Sequence, residues 1–100
     1  MARWRLSQHA KEGLGRSLLY VERSFGKDTA RDVRDRYRAA FRRIAQNPEI
    51  GHRRDDLPSE IRLWTVGPGV VAYQFRDGWV EILAVERAER NWDRDFTDFF

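Results

Sequence analysis

Residues 80–96 read VEILAVERAERNWDRDF. Val80, Ile82 and Ala84 alternate with Glu81 and Leu83 as in a strand, and the chain then runs into Glu86, Arg87, Glu89 and Arg90. Carboxylates and guanidiniums at the exit of a strand pose a choice between an active site and the solvated end of a small domain. On the second account they form exposed ion pairs worth about 0–1 kcal/mol each. Proton transfer near neutral pH is best served by histidine. The chain has two, His9 near the start of a helical stretch and His52 in a polar one, and their spacing does not suit a metal site. Cysteine is absent, which excludes disulfides, thiolate chemistry and Cys-zinc sites. No cofactor and no metal are expected.

The elements that position these groups come from a chain of 100 residues, 41% hydrophobic, with 13% aromatics. That is the length of one domain, 1–100, with one core. The net charge is +3, but the charge is unevenly placed. Nearly all the cations are Arg, Lys11 and Lys27 being the exceptions. Residues 31–54 hold eight Arg against Asp32, Asp35 and Glu49, whereas residues 86–98 are net acidic. A basic middle suits an acidic partner, either nucleic acid or an acidic protein segment. No apolar run approaches the ~18 residues of a membrane span, and MARWRLSQHAKEGLG lacks the apolar core of a secretory signal. A cytoplasmic location without membrane contact is expected.

The first element is a strand in ARWRLS, with Trp4 and Leu6 on one side and Arg3 and Arg5 on the other. Ser7 stands where a helix N-cap belongs. Ala10, Leu14, Leu18, Val21 and Phe25 then recur at helical spacing until Gly26, a C-cap glycine. A second helix opens at Asp28, buries Ala30, Val33, Tyr37, Ala40, Phe41 and Ile44, and stops at Asn47-Pro48. So short a link folds the two helices into an antiparallel hairpin. Arg31, Arg34, Arg38 and Arg42 fall on the outer side of the second helix. Leu18, Leu19 and Tyr20 are adjacent, which makes the first helix apolar over a wide arc.

Residues 48–60 read as a polar loop anchored by Leu57. Three strands follow, over 61–66, 70–75 and 79–85, with Gly69 expected to take positive φ in a type II turn and Asp77-Gly78 to make a tight hairpin. Trp92, Phe96 and Phe99 at i, i+4, i+7 suggest a short C-terminal helix lying back on the domain. The expected fold class is α+β, ordered β-α-α-β-β-β, with the helical hairpin packed on a small antiparallel sheet.

In that order, the sequence resembles the ParE/RelE superfamily of type II toxin–antitoxin toxins, most closely its ParE branch. The resemblance is carried by WRLSQHAKEGL, YVERSFGKDTARD, AFRRIAQNPEIGHRRDDL and EIRLWTVGPGVVAYQFRDGWVEILAV, which together cover residues 3 to about 90. It implies a toxin neutralised by a cognate antitoxin, ParD-like or other. The ParE branch inhibits DNA gyrase and blocks replication, whereas the RelE branch cuts mRNA on the ribosome. Metal-independent RNA cleavage needs a base, a cationic clamp and an acid for the leaving oxygen. Arg62 matches a common family Arg, and Arg87 and Arg90 lie beyond the last strand. No Tyr follows Tyr73 and no His follows His52, so Glu86 and Glu89 stand where a nuclease wants a proton donor. Val85-Glu86 also departs from the Leu-His with which the last ParE strand commonly ends.

The expectation is therefore a gyrase inhibitor with no catalytic residue, the alternative being an mRNA interferase acting through Arg62, Arg87 and Arg90. The resemblance places antitoxin contacts on the hairpin and sheet, here Leu18, Leu19, Tyr20, Phe25, Arg34, Arg38 and Phe41. Candidate target contacts are Arg62, Trp64, Arg87, Arg90 and Trp92.

Overall fold

The computed structural model describes residues 2–87. Six elements follow in chain order: β1 (Arg3–Leu6), α1 (Gln8–Phe25), α2 (Lys27–Gln46), β2 (Arg62–Val66), β3 (Gly69–Arg76) and β4 (Trp79–Arg87). This is the expected α+β order. The C-terminal helix suggested by Trp92, Phe96 and Phe99 lies outside the described residues.

Ser7 caps α1 as its position implies, its Oγ accepting from the Ala10 N–H at 3.1 Å. The same hydroxyl donates to the Leu83 carbonyl at 3.1 Å, so the cap also ties the helix start to β4. Gly26 at φ +96° is the only residue between the helices; its N–H closes α1 on the Glu22 carbonyl at 2.9 Å. The Asn47 N–H ends α2 on the carbonyls of Arg43 and Ile44, ahead of Pro48.

The sheet order is β1-β4-β3-β2; β1 runs parallel to β4 and the other pairs are antiparallel, so the sheet is mixed rather than antiparallel throughout as expected, the long helical connection after β1 allowing its parallel pairing. Asp77 and Gly78 both take positive φ, +56° and +80°, as a type I′ hairpin requires. The other hairpin differs from expectation. Gly67, not Gly69, takes positive φ at +58°, and β3 already begins at Gly69. A positive-φ glycine followed by proline, whose φ is held negative, suits the II′ turn that twists with a hairpin, whereas type II would splay it.

Both faces of the sheet bury apolar side chains. Val71, Tyr73, Val80, Ile82 and Val85 pack under Ala10, Tyr37, Phe41 and Ile44. Val70, Ala72, Leu83 and Ala84 pack on the back under Leu57, the expected anchor, and Ile61. Each large side chain so buried contributes about 1.5–3 kcal/mol. The simple alternation read across Val80, Ile82 and Ala84 breaks at a bulge. Ala72 pairs with Ala84 and Tyr73 with Ile82, leaving Leu83 as the extra residue. Beyond it the helix-facing position passes to Val85.

The loop before β2 is held at several points. The Tyr73 hydroxyl donates to the Pro48 carbonyl at 2.7 Å and accepts the Gly51 N–H at 2.9 Å. His52 and Leu63 exchange two backbone hydrogen bonds at 2.8 Å.

Candidate functional groove

The helices span 18 and 20 residues, about 27 and 30 Å at 1.5 Å per residue. A groove of about 720 Å³ lies where their linked ends meet the β2–β3 turn and the end of β4. Val21, Val33, Tyr37 and Val85 supply its apolar lining, and Tyr20 and Phe25 stand at its rim, 56% and 65% exposed.

Two close backbone approaches shape this groove. A Cβ at Gly13 would lie 2.5 Å from the Val85 carbonyl oxygen, so the glycine lets α1 settle on β4. A Cβ at Gly69 would collide with the Tyr37 hydroxyl. Burial pushes the Tyr37 phenol above its ordinary pKa, partly offset by a hydrogen bond with the Ser17 hydroxyl.

One end of the groove is charged. Glu86 Oε1 lies 3.1 Å from His9 Nε2 and 3.9 Å from Arg16 Nη2, with the Glu86 side chain only 11% exposed. The Arg87 guanidinium sits over the Tyr20 ring, 5.7 Å from its centroid. The charged exit of β4 is thus neither a free solvated fringe nor an isolated dyad: Glu86 and Arg87 form part of the groove wall. His9, near the start of α1, is drawn to Glu86.

The candidates read from the sequence separate in space. Tyr20, Phe25 and Arg87 line the groove. Leu18 is half-buried and Leu19 is 45% exposed, both outside the lining. Arg34 and Arg38 are exposed on α2 away from the groove, Arg34 lying 3.8 Å from Asp35. Phe41 is a correction: at 1% exposed it is a core residue, its ring 5.0 Å from Trp4 and 6.2 Å from Tyr37, and it offers no surface to a partner.

Arg62 sits at the other end of β2, where its Nη1 donates to the carbonyls of Glu49 at 3.2 Å and Gly51 at 3.0 Å. The Trp64 ring is stacked by His52 at 6.3 Å and approached by the Arg43 guanidinium at 5.8 Å. Arg90 and Trp92 lie outside the described residues. Among the described residues no group of three His, Asp or Glu is placed to hold a metal ion, and no helix is long and apolar enough to cross a membrane.

A family model described as the ParE toxin of the type II toxin–antitoxin system parDE matches residues 4–92. The chain belongs to this ParE toxin family. No curated protein matches its sequence. A solved structure described as the chromosomal ParDE TA system from P. aeruginosa superposes with a TM-score of 0.76 at 16% identity. The match covers 89% of this chain and 98% of that one, so the two share a fold.

In this ParE-family chain the sequence pointed to the rim of the groove but missed its floor: Gly13, Val33, Tyr37, Gly69 and Val85. Gly13 was the available signal, because glycine inside a helix costs about 0.5–1 kcal/mol relative to alanine and calls for a packing reason.

Proposed function

We propose that this ParE-family toxin is neutralised by a cognate antitoxin that fills the groove with an apolar segment, and that the freed toxin inhibits DNA gyrase. The observation that supports antitoxin capture is the groove itself: an apolar floor with Tyr20 and Phe25 left exposed at its rim. Exposed aromatics around an apolar cleft mark an interaction surface, because leaving them in water is unfavourable until a partner covers them. The antitoxin segment should carry apolar anchors at helical spacing for the floor, with a carboxylate for Arg16 or Arg87.

Membership of the ParE family supports gyrase as the target, and the state of Arg62 favours it over mRNA cleavage. A nuclease clamp needs guanidinium N–H groups directed at a phosphate; Arg62 Nη1 is instead committed to two loop carbonyls. Purified toxin added to gyrase and relaxed plasmid should block supercoiling, and antitoxin at equimolar ratio should restore it. Normal supercoiling at toxin excess, or new 5′ ends in translated messages after induction, would overturn the gyrase reading.

A further inference from the structure

Among the described residues, apolar side chains cover the back of the sheet over only part of its area. Leu57 and Ile61 cover Val70, Ala72, Leu83 and Ala84. The remainder carries Arg3, Arg5, Gln74, Arg76, Trp79 and Glu81. The register brings these together: Arg3 and Arg76 both lie opposite Trp79, and Arg5 and Gln74 both lie opposite Glu81. All six alternate with Trp4, Leu6, Phe75, Val80 and Ile82, so they share the face away from the helices.

This face combines three guanidiniums, one carboxylate and one indole. The Arg5 guanidinium lies 4.7 Å from the Trp79 ring centroid and that of Arg3 5.6 Å. Glu81 Oε1 holds Arg5 Nη2 at 3.2 Å and stands 3.9 Å from Arg76 Nη2. The side chains of Arg5 and Arg76 remain 53% and 67% exposed. Glu81 thus holds Arg5 and stands near Arg76 without neutralising the patch, which keeps a net charge of two positive.

We propose that this face of the sheet binds single-stranded nucleic acid. A guanidinium held over an indole presents a planar outer surface on which a base stacks, and edge N–H groups that reach phosphate. Holding Arg5 between Trp79 and Glu81 also reduces the ordering cost when a strand arrives. A duplex fits less well, because its bases are already stacked on one another and cannot lie against Arg5 or Trp79. An acidic peptide would satisfy the charge but leave the stacking surface unused. The proposal is independent of the groove and of the gyrase reading, since the groove is built on the helix side of the sheet.

The test is fluorescence anisotropy of a labelled oligothymidylate of about a dozen nucleotides, titrated with the full chain at several salt concentrations. Wild type should bind at low salt, with log K falling as salt rises. Arg5→Ala with Arg76→Ala should reduce that salt slope by about 1.4, at roughly 0.7 per phosphate contact on a single strand, and weaken binding at least tenfold. Arg5→Lys should keep the slope and lose affinity, because lysine retains the charge without the planar stack. Trp79→Leu should weaken binding about fivefold or more. Arg38→Ala with Arg42→Ala, on the opposite side of the molecule, should change affinity less than threefold.

Circular dichroism of each variant checks that it is folded. Failure of wild type to bind would overturn the proposal. So would unchanged binding by the Arg5/Arg76 variant, or equal affinity for a duplex or for polyglutamate.

Discussion

The backbone of α1 at Gly13 rests against the Val85 carbonyl, a side chain's Cβ there falling 2.5 Å from that oxygen. The contact sets the height of α1 over β4 and therefore the width of the groove. Gly13→Ala forces helix and strand apart and should destabilise the fold by about 1–3 kcal/mol, the usual range for overpacking. Gly15 is two residues away on the same helix with nothing within 4 Å of its would-be Cβ. Gly15→Ala should stabilise by about 0.5–1 kcal/mol through helix propensity alone. Urea midpoints measured on the pair check the opposite signs.

Tyr73 gives a pH prediction. Burial raises its phenol pKa, while the Gly51 N–H and the nearby Arg62 charge pull the other way; Tyr37 is raised by burial too. In the unfolded chain both phenols titrate near the ordinary value of about 10. Below that pH both states keep the proton and stability does not depend on these groups. Above it the unfolded chain releases protons that the native state still holds, so stability falls as pH rises through the raised native values. Urea midpoints from pH 8 to 11 should be flat and then fall. Tyr73→Phe should reduce the alkaline slope. It should also cost about 1–3 kcal/mol at pH 8, because the Gly51 N–H and Pro48 carbonyl lose their partner.

The fold was legible in the sequence wherever local chemistry determines geometry. Ser7, Gly26, Asn47-Pro48 and Asp77-Gly78 each act within a few residues, and each ends or begins an element where expected. What escaped depends on the partner strand. The bulge at Leu83 is a property of the β3–β4 pairing, and it turns Val85 rather than Ala84 toward the helices. The positive φ at Gly67 likewise follows from the twist of the hairpin, which a reading of Gly-Pro-Gly alone does not contain. The groove was half legible: exposed aromatics at its rim show in the apolar arc of α1, but its floor comes from four separate elements.

Phe25 and Phe41 should separate partner binding from stability. Phe25 is 65% exposed at the groove rim, and Phe41 is 1% exposed in the core. Phe25→Ala should leave the urea midpoint within about 0.5 kcal/mol of wild type while weakening antitoxin binding by about 1–3 kcal/mol, the range for an aromatic anchor. Phe41→Ala should lower stability by about 3–5 kcal/mol, the cost of an emptied aromatic core site. Isothermal titration with antitoxin, together with urea denaturation of each variant alone, measures both effects.

Arg62 distinguishes a structural cation from a catalytic one. Its Nη1 ties the carbonyls of Glu49 and Gly51 to β2, beside the Tyr73 hydroxyl that holds Pro48. Charge-assisted hydrogen bonds of this kind are worth about 1.5–3 kcal/mol when buried and less where solvent competes. Arg62→Ala should therefore cost about 1–2 kcal/mol of stability and loosen residues 48–52, seen as faster amide exchange there. The gyrase inhibition proposed above should persist at 25 °C in proportion to the folded fraction. Arg62→Lys keeps the charge, but its ammonium ends one bond short of the Nη1 position that meets both carbonyls, so its stability should also fall. A catalytic arginine would behave differently: Arg62→Ala would abolish activity in a protein whose urea midpoint and amide exchange were unchanged.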